Sequence, residues 1–329
     1  MDIEVGCVGD LLVEIMREKV DEPLDISGKF VGPFPSGASG IFIDTIAKLG
    51  VKAGFVGAVG KDDFGELIIG RLKKDKVDTS HIKMLDDYTT GVAFVTYFSD
   101  GSRKFIYHSS KAATGQIYPE DIKEDYFSKL KYLHIVGSTM SINENCREAC
   151  QKAAGIVKES GGKVSFDPNF RPELLSEKEI REFFNPILSS SDVVLPTIEE
   201  AMVLTEKKNL KEACREILKK GPEIVAVKQG KEGSSIFSFD EELHIPAFEV
   251  KEIDPTGAGD CYCAGFIAGI LKGMELKEAA RFANAVGALA VTKKGPMEGA
   301  PTLEEVKKKI KIQARRRIKN VREVKRARM

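Results

Sequence analysis

The chain has 329 residues and a formal net charge of zero; 42% of its residues are hydrophobic and 30% are charged. This balance excludes a disordered or fibrous protein and is typical of a soluble globular one. No run of about 18 apolar residues occurs, and the first residues lack the basic start and apolar stretch of a signal peptide, so we expect a cytoplasmic protein without a membrane segment. The six cysteines form no Cys-x-x-Cys pair, which argues against a zinc site and favours reduced thiols.

Short apolar runs alternate with helical patterns along the chain, which is typical of a mostly parallel sheet covered by helices. The predicted strands are Ile3–Val8, Ala53–Val59, Lys131–Val136, Lys163–Phe166, Asp192–Leu195 and Ile224–Lys228. The predicted helices are Gly40–Leu49, Phe64–Leu72, Asn145–Lys158, Gly257–Leu271 and Glu275–Thr292. The sequence therefore predicts an α/β protein.

Two stretches interrupt this alternation. Residues 11–35 have the pattern of extended chain with Gly and Pro turns, and Gly91–Phe98 with Arg103–Tyr107 predicts a hairpin around an Asp-Gly pair. Strands inserted into an α/β body in this way indicate a small lid over an active site. Turn residues and strand patterns mark these insertions, so we expect the lid to be built from about residues 11–35 and 88–112.

Charge is unevenly spread along the chain. From residue 307 to the end, twelve Lys or Arg residues stand against one Glu, so this segment carries +11 and the remainder −11. Composition marks no other boundary, so we expect one core domain over residues 1–303 and a basic helical extension over 304–329. The extension contains Arg315–Arg317 but lacks interleaved aromatic residues and a recognised DNA-binding motif, which favours a solvated helix over a nucleic-acid-binding arm.

The strongest signal is the segment Asp254–Asp260, an Asp-Pro-Thr-Gly-Ala-Gly-Asp string followed by a long predicted helix. Gly257, Ala258 and Gly259 have little or no side chain, so their backbone N–H groups can approach an anion closely at the helix N-terminus. Such a site suits the negative charge that develops on phosphoryl oxygens during transfer. Asp260 would lie in the first helical turn, where a carboxylate can accept the proton of an alcohol. An isolated Gly-x-Gly-Asp would more simply cap a helix, but the complete string favours the phosphoryl site.

This string resembles the C-terminal signature of the ribokinase-like (PfkB-type) carbohydrate kinases, and the resemblance covers the chain to about residue 303. It implies a three-layer α/β/α core with a mostly parallel sheet and a small β-sheet lid. In that family the Gly-Ala-Gly part of the signature forms the anion hole and the final Asp is the catalytic base. Those roles would fall on Gly257, Ala258, Gly259 and Asp260.

Other positions match the same family in the same order along the chain. The resemblance implies that the sugar is bound by Asp10, Gly37, Tyr107 and Arg171. It implies that the nucleotide is bound by Thr197, Lys228, Gly230, Gly233 and Asn284. It also implies that Glu200 acts near Mg²⁺ through water and that Asp254 and Thr256 hold K⁺.

The chain departs from the family pattern at three positions. Ser36 replaces one glycine of the pair that approaches the sugar, and Ile41 replaces an Asn that often bonds to it. Thr197 replaces the usual Asn of the magnesium region, so its polar group has a shorter reach. These differences concern contacts with the substrate and leave the expected reaction unchanged.

Neither the P-loop string Gly-x-x-x-x-Gly-Lys-Ser/Thr nor a protein-kinase motif occurs in the sequence. The resemblance to carbohydrate kinases implies in-line transfer of the γ-phosphoryl group of ATP to a primary hydroxyl of a small sugar, with Mg²⁺ bridging the phosphates. The lid would close over the reaction and exclude water. Because a related lid often pairs two subunits through its exposed sheet edge, we also expect a homodimer.

The identity of the sugar depends on the lid. Ketodeoxygluconate kinases carry Tyr-x-Arg there, and the arginine pairs with the carboxylate of the acid sugar; here Tyr107 is kept and Ser109 takes the place of the arginine. This favours a neutral ketohexose such as tagatose or fructose. Lys111 could supply the missing charge, so 2-keto-3-deoxygluconate stays an alternative, as does a nucleoside. An alternative of another class is a catalytically weak, sugar-sensing regulator that binds nucleic acid through the basic extension.

Overall fold

A computed structural model describes residues 3–313, and strands alternate with helices through most of this range. The strands are β1 (Val5–Val8), β2 (Leu12–Arg17), β3 (Phe30–Ser36), β4 (Ala53–Gly60), β5 (Asp78–Leu85), β6 (Gly91–Tyr97), β7 (Arg103–His108), β8 (Tyr132–Val136), β9 (Lys163–Asp167), β10 (Val193–Val194), β11 (Ile224–Lys228), β12 (Ser234–Phe237) and β13 (Glu242–Ile245). The helices are α1 (Ala38–Lys48), α2 (Asp63–Lys74), α3 (Glu124–Phe127), α4 (Gly137–Met140), α5 (Glu144–Glu159), α6 (Glu177–Ser190), α7 (Ile198–Thr205), α8 (Leu210–Lys219), α9 (Ala258–Leu271) and α10 (Leu276–Ala290).

Nine strands form one large sheet in the order β13-β12-β11-β10-β9-β8-β1-β4-β5. Neighbouring strands from β11 to β5 run parallel, whereas β12 and β13 pair antiparallel at one edge. In the parallel part, Val5 of β1 lies between Ala53 of β4 and Tyr132 of β8. All four residues of β1 are buried, as expected for a strand covered by helices on both faces. The predicted, mostly parallel sheet is confirmed.

Two apolar clusters pack against the two faces of this sheet. One includes Phe42 of α1, Ile68 of α2 and Phe266 of α9. The other includes Ala149 of α5 and Phe184 of α6. The result is the three-layer α/β/α arrangement that the resemblance implied. In such a fold the carboxyl ends of the parallel strands meet at one edge, where ligands bind.

A second sheet of four strands has the order β3-β2-β6-β7 and forms the lid. The hairpin of β6 and β7 is confirmed, and residues 11–35, predicted as extended chain, contain the antiparallel pair β2 and β3. In this sheet Glu14, Ala93 and Tyr107 lie side by side on three adjacent strands. Side chains that lie side by side on adjacent strands point to the same face of a sheet. This row therefore helps to form the face of the lid that is turned toward the large sheet.

Several elements gave no signal that we interpreted from the sequence. They are β5, the strands β12 and β13, and the helices α3, α4, α6, α7 and α8. Strand β12 begins with two serines, and β13 contains the exposed Glu242 and His244, so neither strand has a continuous apolar run. Helix α6 contains Pro186, which weakens its helical pattern.

The basic extension is only partly described. A helix covers residues 303–313, and Val306 anchors it because its side chain is fully buried in the core. Residues 314–329, which include Arg315–Arg317, lie outside the described residues, so the predicted basic helical extension stays a prediction. Within residues 3–313, no helix has the length and apolar character needed to cross a membrane.

Candidate active site

A cavity of about 1110 Å³ opens between the carboxyl edge of the large sheet and the lid. Asp10 reaches it after β1, Asn169 after β9, and Lys228 from the last position of β11. The first turn of α9 forms another wall, and the inner face of β7 lies opposite. The cavity is continuous from the lid to the loop after β11, so two ligands can bind in it end to end.

Helix α9 begins as the motif predicts. Gly257 precedes its first residue with a left-handed φ of 76°, and a Cβ there would lie 2.7 Å from the carbonyl oxygen of Pro296. Glycine is therefore required for this turn. The first N–H groups of a helix have no carbonyl partner within it, so the amides of Gly257, Ala258 and Gly259 form a region of positive potential on the cavity wall.

Asp260 lies in the first turn of α9, and its side chain is buried but still lines the cavity. The side-chain amide of Asn169 donates a hydrogen bond of 3.1 Å to Asp260 Oδ1. Burial and the nearby charge of Asp167 raise the pKa of Asp260 from 3.8 to about 7, although Lys228 and Arg171 oppose the increase. A carboxylate with this pKa can accept a proton from a hydroxyl group near neutral pH.

A buried ion pair stands next to this carboxylate. Lys228 Nζ donates a hydrogen bond of 2.6 Å to Asp167 Oδ1, and the backbone N–H of Asn169 donates to the same oxygen over 3.2 Å. Asn169 has a positive φ of 31°, which is unusual for a residue other than glycine. The bond to Asp167 stabilises this conformation and aims the Asn169 side chain at Asp260.

Asp10 forms hydrogen bonds that shape the end of the cavity next to the lid. Its Oδ2 accepts a hydrogen bond of 3.1 Å from the Ala38 N–H at the start of α1, and its Oδ1 accepts one of 2.9 Å from the Thr139 hydroxyl. Gly37, just before α1, has a φ of 100°, and a Cβ there would lie 2.3 Å from the Asp10 carbonyl oxygen. Glycine therefore lets the chain at Gly37 approach the segment that carries Asp10.

The lid contributes Glu14, Arg103 and Tyr107 to the same end of the cavity. Ser36 donates a hydrogen bond of 2.7 Å to Glu14 Oε1, whereas Glu14 Oε2 is buried and has no hydrogen-bond partner among the described residues. Burial raises the pKa of Glu14 to about 7, and Arg103 and Arg171 are the cations that oppose this increase. This end of the cavity therefore holds both hydrogen-bond acceptors and positive charges.

Residues 103, 105, 107 and 109 share the inner face of the lid because they alternate along and just beyond β7. Arg103 was missed in the sequence, although this alternation with Tyr107 was available as a signal. Lys111, considered as a replacement cation, is exposed and does not line the cavity. Arg171 lines the cavity, as the resemblance implied for a residue that contacts substrate.

The opposite end of the cavity is bounded by loops after β10 and β11 together with α10. Its lining includes the residues expected to bind the nucleotide, namely Thr197, Lys228, Gly230, Gly233 and Asn284. Asn284 donates a hydrogen bond of 2.9 Å to the carbonyl oxygen of Ile245, so its amide nitrogen holds the end of β13. Gly233 has a φ of 101°, and a Cβ there would lie 2.1 Å from that same carbonyl oxygen.

Metal ligands at the site are few. Glu200 Oε2 accepts a hydrogen bond of 2.7 Å from the Thr197 N–H at the start of α7, and the Glu200 side chain lines the cavity. Among residues 3–313, no three His, Cys, Asp or Glu side chains form a cluster that could hold a metal ion. These residues fit a magnesium ion that is held chiefly by phosphate oxygens and water, with Glu200 as an outer carboxylate.

Asp254 and Thr256, expected to hold K⁺, are buried in the loop before α9. Asp254 Oδ1 accepts hydrogen bonds from the Thr256 N–H and the Tyr97 hydroxyl, over 3.0 and 3.3 Å, and Oδ2 accepts one of 2.9 Å from the Gly295 N–H. The Tyr97 hydroxyl also contacts the Thr256 hydroxyl. Both carboxylate oxygens are thus already bonded, so these contacts give no separate support for bound K⁺. They do join β6 of the lid to the loop before α9.

The fold and this site together define a phosphotransferase with an alcohol group as acceptor. A comparison with protein families makes the class more specific: the pfkB family carbohydrate kinase model matches residues 25–303. The chain belongs to this family.

Similar proteins support the same family. The chain is 31% identical over 317 residues to "Probable fructokinase-3" of Arabidopsis thaliana, covering 94% of this chain and 91% of the relative. It is 31% identical over 264 residues to the 2-dehydro-3-deoxygluconokinase of Bacillus subtilis, covering 79% and 82% of the two chains. An E. coli protein provisionally named Ribokinase II, solved with ATP and Mg²⁺, is 40% identical with a TM-score of 0.89; the match covers 94% of this chain and 99% of that one.

Proposed function

We propose that the protein is an ATP-dependent kinase that phosphorylates a primary hydroxyl of a small neutral sugar, most simply a ketohexose such as tagatose or fructose. The observation that carries this proposal is the position of Asp260. A carboxylate with a pKa of about 7 lies in the first turn of α9, in a cavity that extends from the lid to the loop after β11. A base and a set of amide donors therefore meet where a hydroxyl and a phosphoryl group can both reach them.

In the proposed reaction Asp260 orients the hydroxyl and accepts its proton as the oxygen attacks the γ-phosphorus. The amides of Gly257–Gly259 stabilise the negative charge on the transferred group. Magnesium bound to the phosphates would supply further charge neutralisation, with Glu200 holding its water. Asn169 keeps the acceptor oxygen of Asp260 in place through its hydrogen bond.

The lid and β1 support a neutral, hydroxyl-rich substrate. Asp10 and Glu14 place two carboxyl groups at this end of the cavity, and the Glu14 Oε2 atom has no hydrogen-bond partner among the described residues. Ser109 lines the cavity at the place where an arginine would pair with an acid sugar. The similarity to a plant fructokinase is consistent with such a substrate.

A specific observation favours 2-keto-3-deoxygluconate as the second candidate. Arg103 and Arg171 both line the cavity and both act on the charge of Glu14, so two cations stand near the lid. A sugar carboxylate placed between them would be paired. The similarity to the B. subtilis 2-dehydro-3-deoxygluconokinase agrees with this reading. No contact in the described residues favours a nucleoside over either sugar.

The decisive experiment measures ADP release from ATP and Mg²⁺ with tagatose, fructose, 2-keto-3-deoxygluconate, ribose and a nucleoside. We expect a ketohexose to give the highest kcat/KM, and ADP release without sugar gives the background. Arg103→Ala separates the two candidates, since it should strongly impair use of the acid sugar and affect a ketohexose little. The exposed Asp240→Ala serves as a control with wild-type rates. Absence of ADP release with every substrate, together with salt-sensitive DNA binding, would instead support a regulator.

Three further expectations accompany this proposal. Activation by K⁺ rests only on the residue types of Asp254 and Thr256. A homodimer through the lid is supported by Phe30 and Ile106, two apolar side chains on its edge strands that are 40% and 43% exposed. Use of ATP agrees with the cytoplasmic location expected from the sequence. Rates measured with and without K⁺ test the activation, and light scattering of the purified protein tests the homodimer.

A further inference from the structure

Lys228 occupies a position that is electrostatically unusual. Its side chain is only 11% exposed, and its Nζ lies 3.7 Å from the point that a Cβ of Gly259 would occupy. It therefore packs against the first turn of α9. The N-terminus of a helix carries partial positive charge, so a cation there is unfavourable unless an anion is bound nearby.

Asp167 is one such anion, but its presence does not explain why a buried ion pair occurs at this position. The Lys228–Asp167 pair is buried, with side-chain exposures of 11% and 1%. Transfer of two charges from water into a protein interior is costly, and buried ion pairs are often no better for stability than apolar side chains of similar size. Lys228 lines the part of the cavity that lies next to the amides of Gly257–Gly259, whereas Asp167 is buried and does not line it. Stability alone therefore does not explain the pair, and its position beside the cavity points to a function.

Lys228 keeps its positive charge at this position. Burial lowers the pKa of Lys228, but Asp167, Cys263 and Glu200 outweigh burial and raise the pKa above its ordinary value. The ammonium group has three N–H donors, and the structure uses one strong bond to Asp167 and a long contact of 3.9 Å to Cys263 Sγ. A donor therefore stays available for an anion in the cavity.

We propose that Lys228 is a catalytic residue whose ammonium group contacts the γ-phosphoryl group of ATP during transfer, and that Asp167 is the positioning residue that holds it there. This inference deepens the proposed kinase function and rests on it. In the reaction a bond forms between the sugar oxygen and the γ-phosphorus, and the bond between that phosphorus and the bridging oxygen breaks. The electron pair leaves with ADP, and the proton of the hydroxyl passes to Asp260. Lys228 stays protonated and neutralises charge on a non-bridging oxygen.

Asp167 connects this cation to the catalytic base. Its Oδ1 accepts hydrogen bonds from Lys228 and from the backbone of Asn169, whose side chain donates to Asp260. One buried carboxylate therefore orients both the cation and the amide that holds the base. The two groups flank the place where the γ-phosphoryl group meets the hydroxyl.

The first test compares ligands that differ only in the γ-phosphoryl group. For Lys228→Met, calorimetry should show the affinity for the β,γ-imido analogue of ATP with Mg²⁺ falling about tenfold or more, whereas the affinity for ADP stays within about threefold, because one charge-assisted hydrogen bond is lost. The kcat should fall by about 10²-fold or more, with the KM for sugar little changed. Equal losses for both nucleotides, or none for either, would overturn the proposal.

Lys158→Met is the matched control. Lys158 forms a similar ion pair of 2.8 Å with Asp192, and neither residue lines the cavity. This variant should keep the wild-type difference between the two nucleotides and the wild-type kcat. If the wild-type protein released no ADP with any sugar, the proposed function would fail, and the nucleotide comparison would still decide whether Lys228 contacts the γ-phosphoryl group.

The second test uses the pH dependence of kcat/KM. The charged groups that face Asp260 are Asp10, Asp167, Arg171 and Lys228, and the thiols beside it are Cys7, Cys261 and Cys263. Asp167 raises the pKa of Asp260 and Lys228 lowers it. The acid limb of the profile should therefore move to lower pH in Asp167→Asn and to higher pH in Lys228→Met. Shifts in the same direction, or no shift, would overturn the proposed connection between the ion pair and the catalytic base.

Discussion

Replacement of Asp260 by Asn should make the protein inactive and, above neutral pH, more stable. The carboxyl group is buried, and its pKa rises from 3.8 in a solvated chain to about 7 in the folded protein. Between these pH values the folded protein holds a proton that the unfolded chain has released. Stability is therefore lost as pH rises through this window, and above about pH 7 the folded protein carries the full cost of the buried charge.

The magnitude follows from the shift. About three pKa units at 1.36 kcal/mol each give a ceiling of about 4 kcal/mol, and we expect about half of it because the neighbouring groups can rearrange. For a chain of this length, about 2 kcal/mol corresponds to a rise in Tm of about 3 °C. The introduced amide has the shape of the carboxylate and can still accept the hydrogen bond from Asn169. Loss of the base should lower kcat by about 10²- to 10⁴-fold.

Calorimetric unfolding at pH 5 and pH 8, together with ADP release, measures both effects. The stability gain of Asp260→Asn should grow between these pH values. Asp62→Asn is a control with the opposite expected effect. Burial raises the pKa of Asp62, but hydrogen bonds from Thr90 and Gly65 outweigh burial and lower it. Removal of this carboxylate should therefore destabilise the protein at pH 8. A gain that does not grow with pH, or retention of more than about a tenth of kcat, would refute the reasoning.

Three other substitutions test separate parts of the site. Gly37→Ala should lower both the free energy of unfolding and kcat/KM, because a Cβ would lie 2.3 Å from the Asp10 carbonyl oxygen at a φ of 100°. Denaturant unfolding measures the first quantity and sugar kinetics the second. Glu14→Gln should raise the KM for the sugar about tenfold with little change in kcat, since one hydroxyl acceptor is weakened; an unchanged KM would remove Glu14 from the substrate site. Tyr97→Phe should lower the free energy of unfolding by about 1 kcal/mol, because Asp254 loses a hydrogen bond from the lid, and an unaltered urea midpoint would contradict this.

The fold could be predicted from the sequence because its signals are local. Apolar runs such as that of β1 and the helical pattern of α1 depend on neighbouring residues, and the boundaries differ from the prediction by about one or two residues, as helix and strand ends usually do. The Asp254–Asp260 string likewise places a turn, a helix start and a carboxylate within seven consecutive residues. Such features need no knowledge of distant parts of the chain.

Many hydrogen bonds and ion pairs of the site could not be predicted, because they join residues that are far apart in the sequence. Asn169 and Asp260 are separated by 91 positions, Asp167 and Lys228 by 61, and Tyr97 and Asp254 by 157. No periodicity or spacing records such a contact. Asn169 was not among the residues predicted from the sequence, because its bond to Asp260 depends on the loop after β9 meeting the first turn of α9.

The regions proposed to bind the sugar and the nucleotide share a single uninterrupted cavity. A compound that joins a polyol to adenosine through a short chain of phosphates could therefore occupy both regions at once. After one half has docked, the other binds at a high effective concentration, so such a conjugate should bind far more tightly than either part alone. It would also hold the lid against the body of the protein, which makes it a suitable ligand for trapping the closed enzyme and a starting point for a selective inhibitor.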